Sequence, residues 1–204
     1  MVISTGSLLA VIAVLGVSSA AAAIYYMLHS TLVTAGFFLL ADAIANQRGE
    51  FADKLVRGPH VRDIKRLGTG FLILAVAASG VPPLSGFFGK VMLMQSVQTS
   101  GWVSAIWPAL LVSSVIVALA LARKVSVLFW EPIADEPRPV YPPPSKLRAA
   151  AVVALVAASP ILTLATGSVS AYARAAAEQL VNRQGYIDAV LGVSPHIVRD
   201  RRPR

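Results

Sequence analysis

Charged residues are scarce along this chain, and the gaps between them predict its elements. From Ser7 to Ala45 the only formal charge is Asp42, and from Leu67 to Ala122 the only one is Lys90. As helix, residues 7–45 would extend roughly 58 Å, about twice a hydrocarbon core of ~30 Å. The pattern therefore predicts two crossings there, at about 5–27 and 29–46. Ser19-Ala20-Ala21-Ala22 resembles a signal-peptide cleavage site. No basic segment precedes it and the apolar run continues well past an h-region, which argues against a cleaved leader.

In the second run, Gly80-Val81-Pro82-Pro83 must interrupt a helix, because two prolines remove two backbone donors and constrain the residue before each. Residues 67–98 read as one crossing broken at 80–84. Two full crossings separated by the prolines are the alternative, making six spans rather than five. Gly101 and Pro108 flank the next crossing, about 103–127, with Trp102 and Trp107 as interfacial anchors. A polar linker containing Pro142-Pro143-Pro144 follows, then a last crossing at about 147–167, bent at Pro160. Residues 168–183 predict a weakly amphipathic helix with Val169, Tyr172, Ala176 and Leu180 near one face, and the chain ends in a short basic tail. The expected fold is all-α, a polytopic transmembrane helix bundle over 1–167 with a proline-broken helix. An amphipathic helix and basic tail occupy 168–204.

Composition supports this. Hydrophobic residues make up 56% and charged residues 14%, against about 25% charge in soluble domains; a soluble enzyme, a disordered tail or a coiled coil is disfavoured. The absence of cysteine excludes disulfide frameworks, thiolate zinc sites and cysteine-ligated iron–sulfur clusters. The net charge of +8 comes from basic residues between crossings: six Lys/Arg in 47–66, five in 123–148 and none in 98–102. That distribution gives nucleic-acid binding no support. Under the positive-inside rule it places both basic loops in the cytoplasm, and with five crossings it leaves residues 168–204 outside.

Lys90 is the most informative candidate. It has 23 uncharged residues before it and 32 after it. A lysine at mid-membrane depth costs roughly 2.5–3.5 kcal/mol on insertion scales, so it normally faces a protein-lined or hydrated interior. Burial disfavours the charged form of an amine, which suits a group that releases and recaptures a proton. The bland readings are a snorkelling lysine or one held permanently in an ion pair. The broken helix beside it strengthens the functional reading, since half-helix ends expose backbone dipoles that hold ions and protons. Gly80, Pro82 and Pro83 make that break, and Ser85 and Gly86 leave room for water or close helix approach. His29, beside Ser30 and Thr31, is a candidate proton relay; its bland reading is a hydrogen-bonded core histidine. Asp42 is a weaker candidate acid, and its place near the basic end of its span favours capping or pairing. No P-loop, G-x-G-x-x-G, G-x-S-x-G or H-E-x-x-H occurs, and His60 and His196 have no ligand partners at useful spacing. No cofactor and no metal site is expected.

The stretch Met27-Leu28-His29-Ser30 to Phe37-Phe38-Leu39-Leu40-Ala41-Asp42, followed by Gly80-Val81-Pro82-Pro83-Leu84-Ser85-Gly86-Phe87-Phe88-Gly89-Lys90, resembles the antiporter-like membrane subunits. That superfamily includes the large subunits of multisubunit (Mrp-type) cation/proton antiporters and the proton-pumping subunits of respiratory complex I. The wording around His29 and the Leu128-Phe129-Trp130 exit are most similar to the Mrp-type branch. The resemblance spans about residues 5–167 and covers only the C-terminal two-fifths of such a large subunit. An internal start, a split gene product and a fragment are all compatible with that. The resemblance implies broken helices and a midplane chain of lysines, histidines and acids, in which Lys90 matches the lysine or glutamate of the C-terminal broken helix and His29 a half-channel histidine. Val33 stands where many relatives carry a lysine one turn after that histidine.

The function this implies is part of a proton half-channel in a multisubunit monovalent cation/proton antiporter. Other membrane subunits, protons, Na+ or K+ and the lipid bilayer would be its partners, in a multi-pass chain of the cell inner (plasma) membrane. It would be a secondary transporter subunit, not an enzyme. The alternatives are a proton-pumping subunit of a complex I-like NADH:quinone oxidoreductase and a non-transporting membrane assembly subunit.

Overall fold

The computed structural model describes residues 2–48, 51, 54, 56, 61, 63–130 and 146–191. His60, His196, the 142–144 proline run and the basic tail lie outside the described residues. The regular elements are helices: α1 Val2–Ile12, α2 Val17–Ala45, α3 Ile64–Ser79, α4 Ser85–Ser96, α5 Val103–Val125, α6 Lys146–Leu164, α7 Thr166–Val181 and α8 Arg183–Leu191. A π-helical turn, Ser126–Trp130, extends α5. The fold is an all-α polytopic bundle. Among the described residues, three helices are long and apolar enough to cross a membrane: Val17–Ala45, Val103–Trp130 and Lys146–Leu164.

The first helix boundary differs from expectation. No break occurs at residue 28; α2 runs unbroken for 29 residues, about 43 Å. Its sequence explains this, since residues 17–35 contain neither glycine nor proline and Ala20–Ala23 are strong helix formers. The interruption lies earlier, at 13–16, where Leu15 has φ 51° and Gly16 adopts extended backbone. Helix α1, Val2–Ile12, covers 11 residues before this interruption, about 16 Å.

Helix α2 is the hub, packing against α1, α3, α4, α6 and α7. Toward its C-terminal end, Val33, Leu40 and Ile44 join Phe71 and Leu74 of α3 and Phe129 of the π turn in one apolar core. Phe71 meets Phe37 and Phe129 edge to face, a favoured aromatic geometry. Toward its N-terminal end, Ala22 and Tyr26 pack with Val11 of α1, Leu93 of α4 and Leu110 of α5. The indole of Trp107 ties α5 to α4 by donating to the Met94 carbonyl at 2.9 Å.

Residues Thr166–Val181 form the helix expected in this region, α7. Tyr172 and Leu180 are 74% and 73% exposed, while Ala173 and Ala177 are fully buried. Helix α7 presents its small side chains to its neighbours, and small residues let helix backbones approach closely. Tyr25 of α2 clamps the contact through a 2.9 Å hydrogen bond to Thr166.

Candidate functional site

The site forms where α3 stops and α4 starts. Gly80 caps α3 in the left-handed region at φ 74°. Its N–H bonds to the Ala77 carbonyl at 3.2 Å and that of Val81 to the Val76 carbonyl at 3.3 Å, the paired bonds of a Schellman termination. Glycine is required there twice over: the backbone conformation disfavours a side chain, and a Cβ would lie 2.6 Å from Lys90 Cδ. Pro82 and Pro83 fill the turn, joined by a cis peptide, and α4 resumes at Ser85.

A helix leaves its last carbonyls without intrahelical partners, and they carry the negative end of its dipole. One of them is recovered here by a cation. Lys90 reaches back from the second turn of α4 so that Nζ donates to the Ser79 carbonyl at 2.9 Å. It also donates to Ser114 Oγ of α5 at 2.6 Å. Ser114 in turn donates to the Leu110 carbonyl at 2.7 Å, which leaves its lone pairs to the ammonium. Lys90 is 7% exposed, and among the described residues no carboxylate lies within ion-pair distance of it. Among the described residues, Lys90 is thus buried against neutral oxygens without an ion-pair partner.

His29 projects from the middle of α2 onto the first turn of α4. Its Nδ1 lies 2.8 Å from Ser85 Oγ, and Ser85 Oγ lies 2.8 Å from Ser159 Oγ of α6; all three residues are buried. The other ring nitrogen, Nε2, lies on the side of the Ala77 carbonyl, the two atoms flanking Gly86. Gly86 makes this junction possible, because a Cβ there would lie 1.9 Å from the Ala77 oxygen and 3.0 Å from His29 Nε2. Gly89, one turn on, lets Tyr25 and Tyr26 close against α4, and the Tyr26 ring sits 5.7 Å from the imidazole.

The fold thus gathers Lys90, His29, Gly80, Ser85 and Gly86 at one junction. It does not bring Asp42 there. Asp42 lies thirteen residues beyond His29 on the same helix, about 20 Å away. Its side chain is 56% exposed and faces Arg148 of α6 at 3.9 Å. Val33 packs in the apolar core. Ser79, Ser114 and Ser159 were not foreseen. Their only signal is polarity within apolar helices, a weak one because such hydroxyls commonly bond their own helix's carbonyls.

Known proteins share this architecture's sequence. The chain is 32% identical to the D subunit of the Na(+)/H(+) antiporter of Bacillus subtilis, covering 94% of this chain and 38% of the relative. It is 27% identical to the D subunit of a probable K(+)/H(+) antiporter of Rhizobium meliloti, covering 94% and 40%. A match at 30% identity to NADH-quinone oxidoreductase subunit N of Rhodococcus opacus covers 68% of this chain and 25% of that one. The chain therefore spans about two-fifths of the length of the two antiporter relatives. The model of the NADH:quinone oxidoreductase/Mrp antiporter transmembrane family matches residues 2–118, from α1 through the broken helix and into α5, and this chain belongs to that family.

Proposed function

We propose that this chain serves as the C-terminal part of a subunit of a multisubunit monovalent cation/proton antiporter, where it builds part of a proton half-channel. It acts with other membrane subunits in the cell inner membrane, as a secondary transporter component rather than an enzyme. The observation that carries this reading is the Lys90 ammonium, buried against a half-helix carbonyl and a serine hydroxyl with no fixed anion beside it among the described residues. Such a group can surrender its proton when a mobile cation approaches and regain it when the cation leaves, because no immobile carboxylate holds it charged. His29 offers the adjoining station, since a neutral imidazole both donates and accepts. The relatives' names differ in the ion, Na(+) for one and K(+) for another, so the coupled cation is Na+ or K+.

The oxidoreductase alternative draws on the match to subunit N, which covers less of the chain than the two D-subunit matches described above. The test is to assemble the complex with and without this chain in everted vesicles and add Na+ or K+ to an imposed pH gradient. Cation-stimulated collapse that depends on the chain supports the antiporter reading. Collapse that is unchanged without the chain, in vesicles with equal amounts of the remaining subunits, refutes it; a loss of collapse that merely tracks a loss of the remaining subunits points to an assembly role instead.

A further inference from the structure

We infer that Ser85 and Ser159 are positioning residues that hold His29 in one neutral tautomer, with the proton on Nε2 and a lone pair on Nδ1. The reasoning is a count of donors and acceptors. A neutral imidazole has one nitrogen of each kind, and the partners of the two nitrogens decide which. Nε2 lies toward the Ala77 carbonyl oxygen, both atoms flanking the Cβ position that Gly86 leaves empty, and that oxygen only accepts. Nδ1 faces the Ser85 hydroxyl at 2.8 Å, which can do either. Ser159 breaks the tie. Its hydroxyl is buried, and among the described residues its one side-chain partner is Ser85 Oγ at 2.8 Å.

Ser114 and Thr163 donate to carbonyls one turn back on their own helices, Leu110 and Ser159, but the Ser159 hydroxyl is directed at Ser85 instead. Its proton must go to Ser85. Ser85 then donates to Nδ1, and Nε2–H donates to Ala77. Every hydrogen is used. The reverse order strands the Ser159 proton and aims the Nε2 lone pair at a carbonyl oxygen, leaving two buried groups unsatisfied.

The arrangement spans four helices. A hydroxyl on α6, relayed by the first residue of α4, sets which edge of a ring on α2 presents its N–H to the end of α3. The donating edge therefore points at the break beside Lys90, and the accepting edge points at Ser85 of α4, which Ser159 of α6 holds in place. The positioning role stands on the His29–Ser85–Ser159 hydrogen bonds and the placement of the Ala77 carbonyl at Gly86; its value for transport rests on the proton half-channel proposed above.

Histidine-selective 15N NMR of the full chain in lipid bilayers tests it, with the His29 signals identified by their loss in His29→Gln. The wild type should show one unprotonated, hydrogen-bonded Nδ1 and one protonated Nε2. Ser159→Ala should give a mixture of tautomers, and Ser159→Thr, which keeps the hydroxyl, should restore the single one. A protonated Nδ1 in the wild type overturns the inference, as does a Ser159→Ala spectrum identical to the wild type. Transport by the assembled complex is the second readout, expected to fall several-fold in Ser159→Ala and to recover in Ser159→Thr. A mixed tautomer with undiminished transport would overturn the relay role of His29 while leaving the positioning role intact.

Discussion

Gly86→Ala places one methyl group at the narrowest point of the junction. The added carbon would lie 1.9 Å from the Ala77 oxygen, whereas carbon–oxygen contacts settle near ~3.3 Å. The first turn of α4 must then withdraw from the end of α3 by about 1.4 Å. Alanine gains about 1 kcal/mol over glycine within a helix, and forced backbone movement in a packed interior costs typically ~1–3 kcal/mol. The two nearly offset, so the folded complex should survive with a loss of about 0–2 kcal/mol. Function should not. The same withdrawal stretches the 2.8 Å His29–Ser85 contact to about 4 Å, beyond the ~3.2 Å reach of a hydrogen bond. A misplacement of ~1 Å costs reacting groups about 10²-fold. Cation-stimulated pH-gradient collapse in everted vesicles should therefore drop by about 10²-fold at unchanged subunit levels. Gly101→Ala is the control, since nothing lies within 4 Å of a Cβ there. A Gly86→Ala complex that transports as fast as the Gly101→Ala complex would refute this account of the junction.

Ser114→Ala removes one of the two acceptors that hold the ammonium, a hydrogen bond to a charged group worth roughly 1.5–3 kcal/mol. Initial transport rates should fall by about tenfold or more, and Ser114→Thr should recover most of the loss; equal rates in Ser114→Ala and wild type would speak against it. Asp42→Asn loses only an exposed contact of 3.9 Å with Arg148, which contributes at most about 0.5 kcal/mol. Its transport rate and thermal midpoint should match wild type, and a transport loss at normal assembly would make Asp42 a working acid after all.

What could be read from the sequence followed from strong local constraints. Pro82-Pro83 after Gly80 forbids helix in any tertiary context, and one lysine within a long uncharged run must be sheltered somewhere. Those two facts led to the junction and to its ammonium. The boundary at residue 28 rested on length alone, in a stretch with no helix breaker, and α2 runs straight through it. The buried side of α7 was not legible in the sequence, because it is formed by the small Ala173 and Ala177, which allow close helix packing but carry little hydrophobic signal. Ser114 and Ser159 were invisible for a related reason. A lone serine in an apolar helix has the same appearance whether it bonds its own backbone, as Ser7 does to Ile3, or reaches across to a neighbouring helix, as Ser159 does.

The central claim is that the Lys90 amine changes its protonation during transport, and its most direct test is Lys90→Ala in the assembled complex. Subunit stoichiometry is checked on native gels, and the rate of Na+- or K+-stimulated pH-gradient collapse is then compared with wild type. The account predicts normal assembly with collapse reduced to the level of vesicles lacking the chain. Wild-type collapse by a fully assembled Lys90→Ala complex would contradict it.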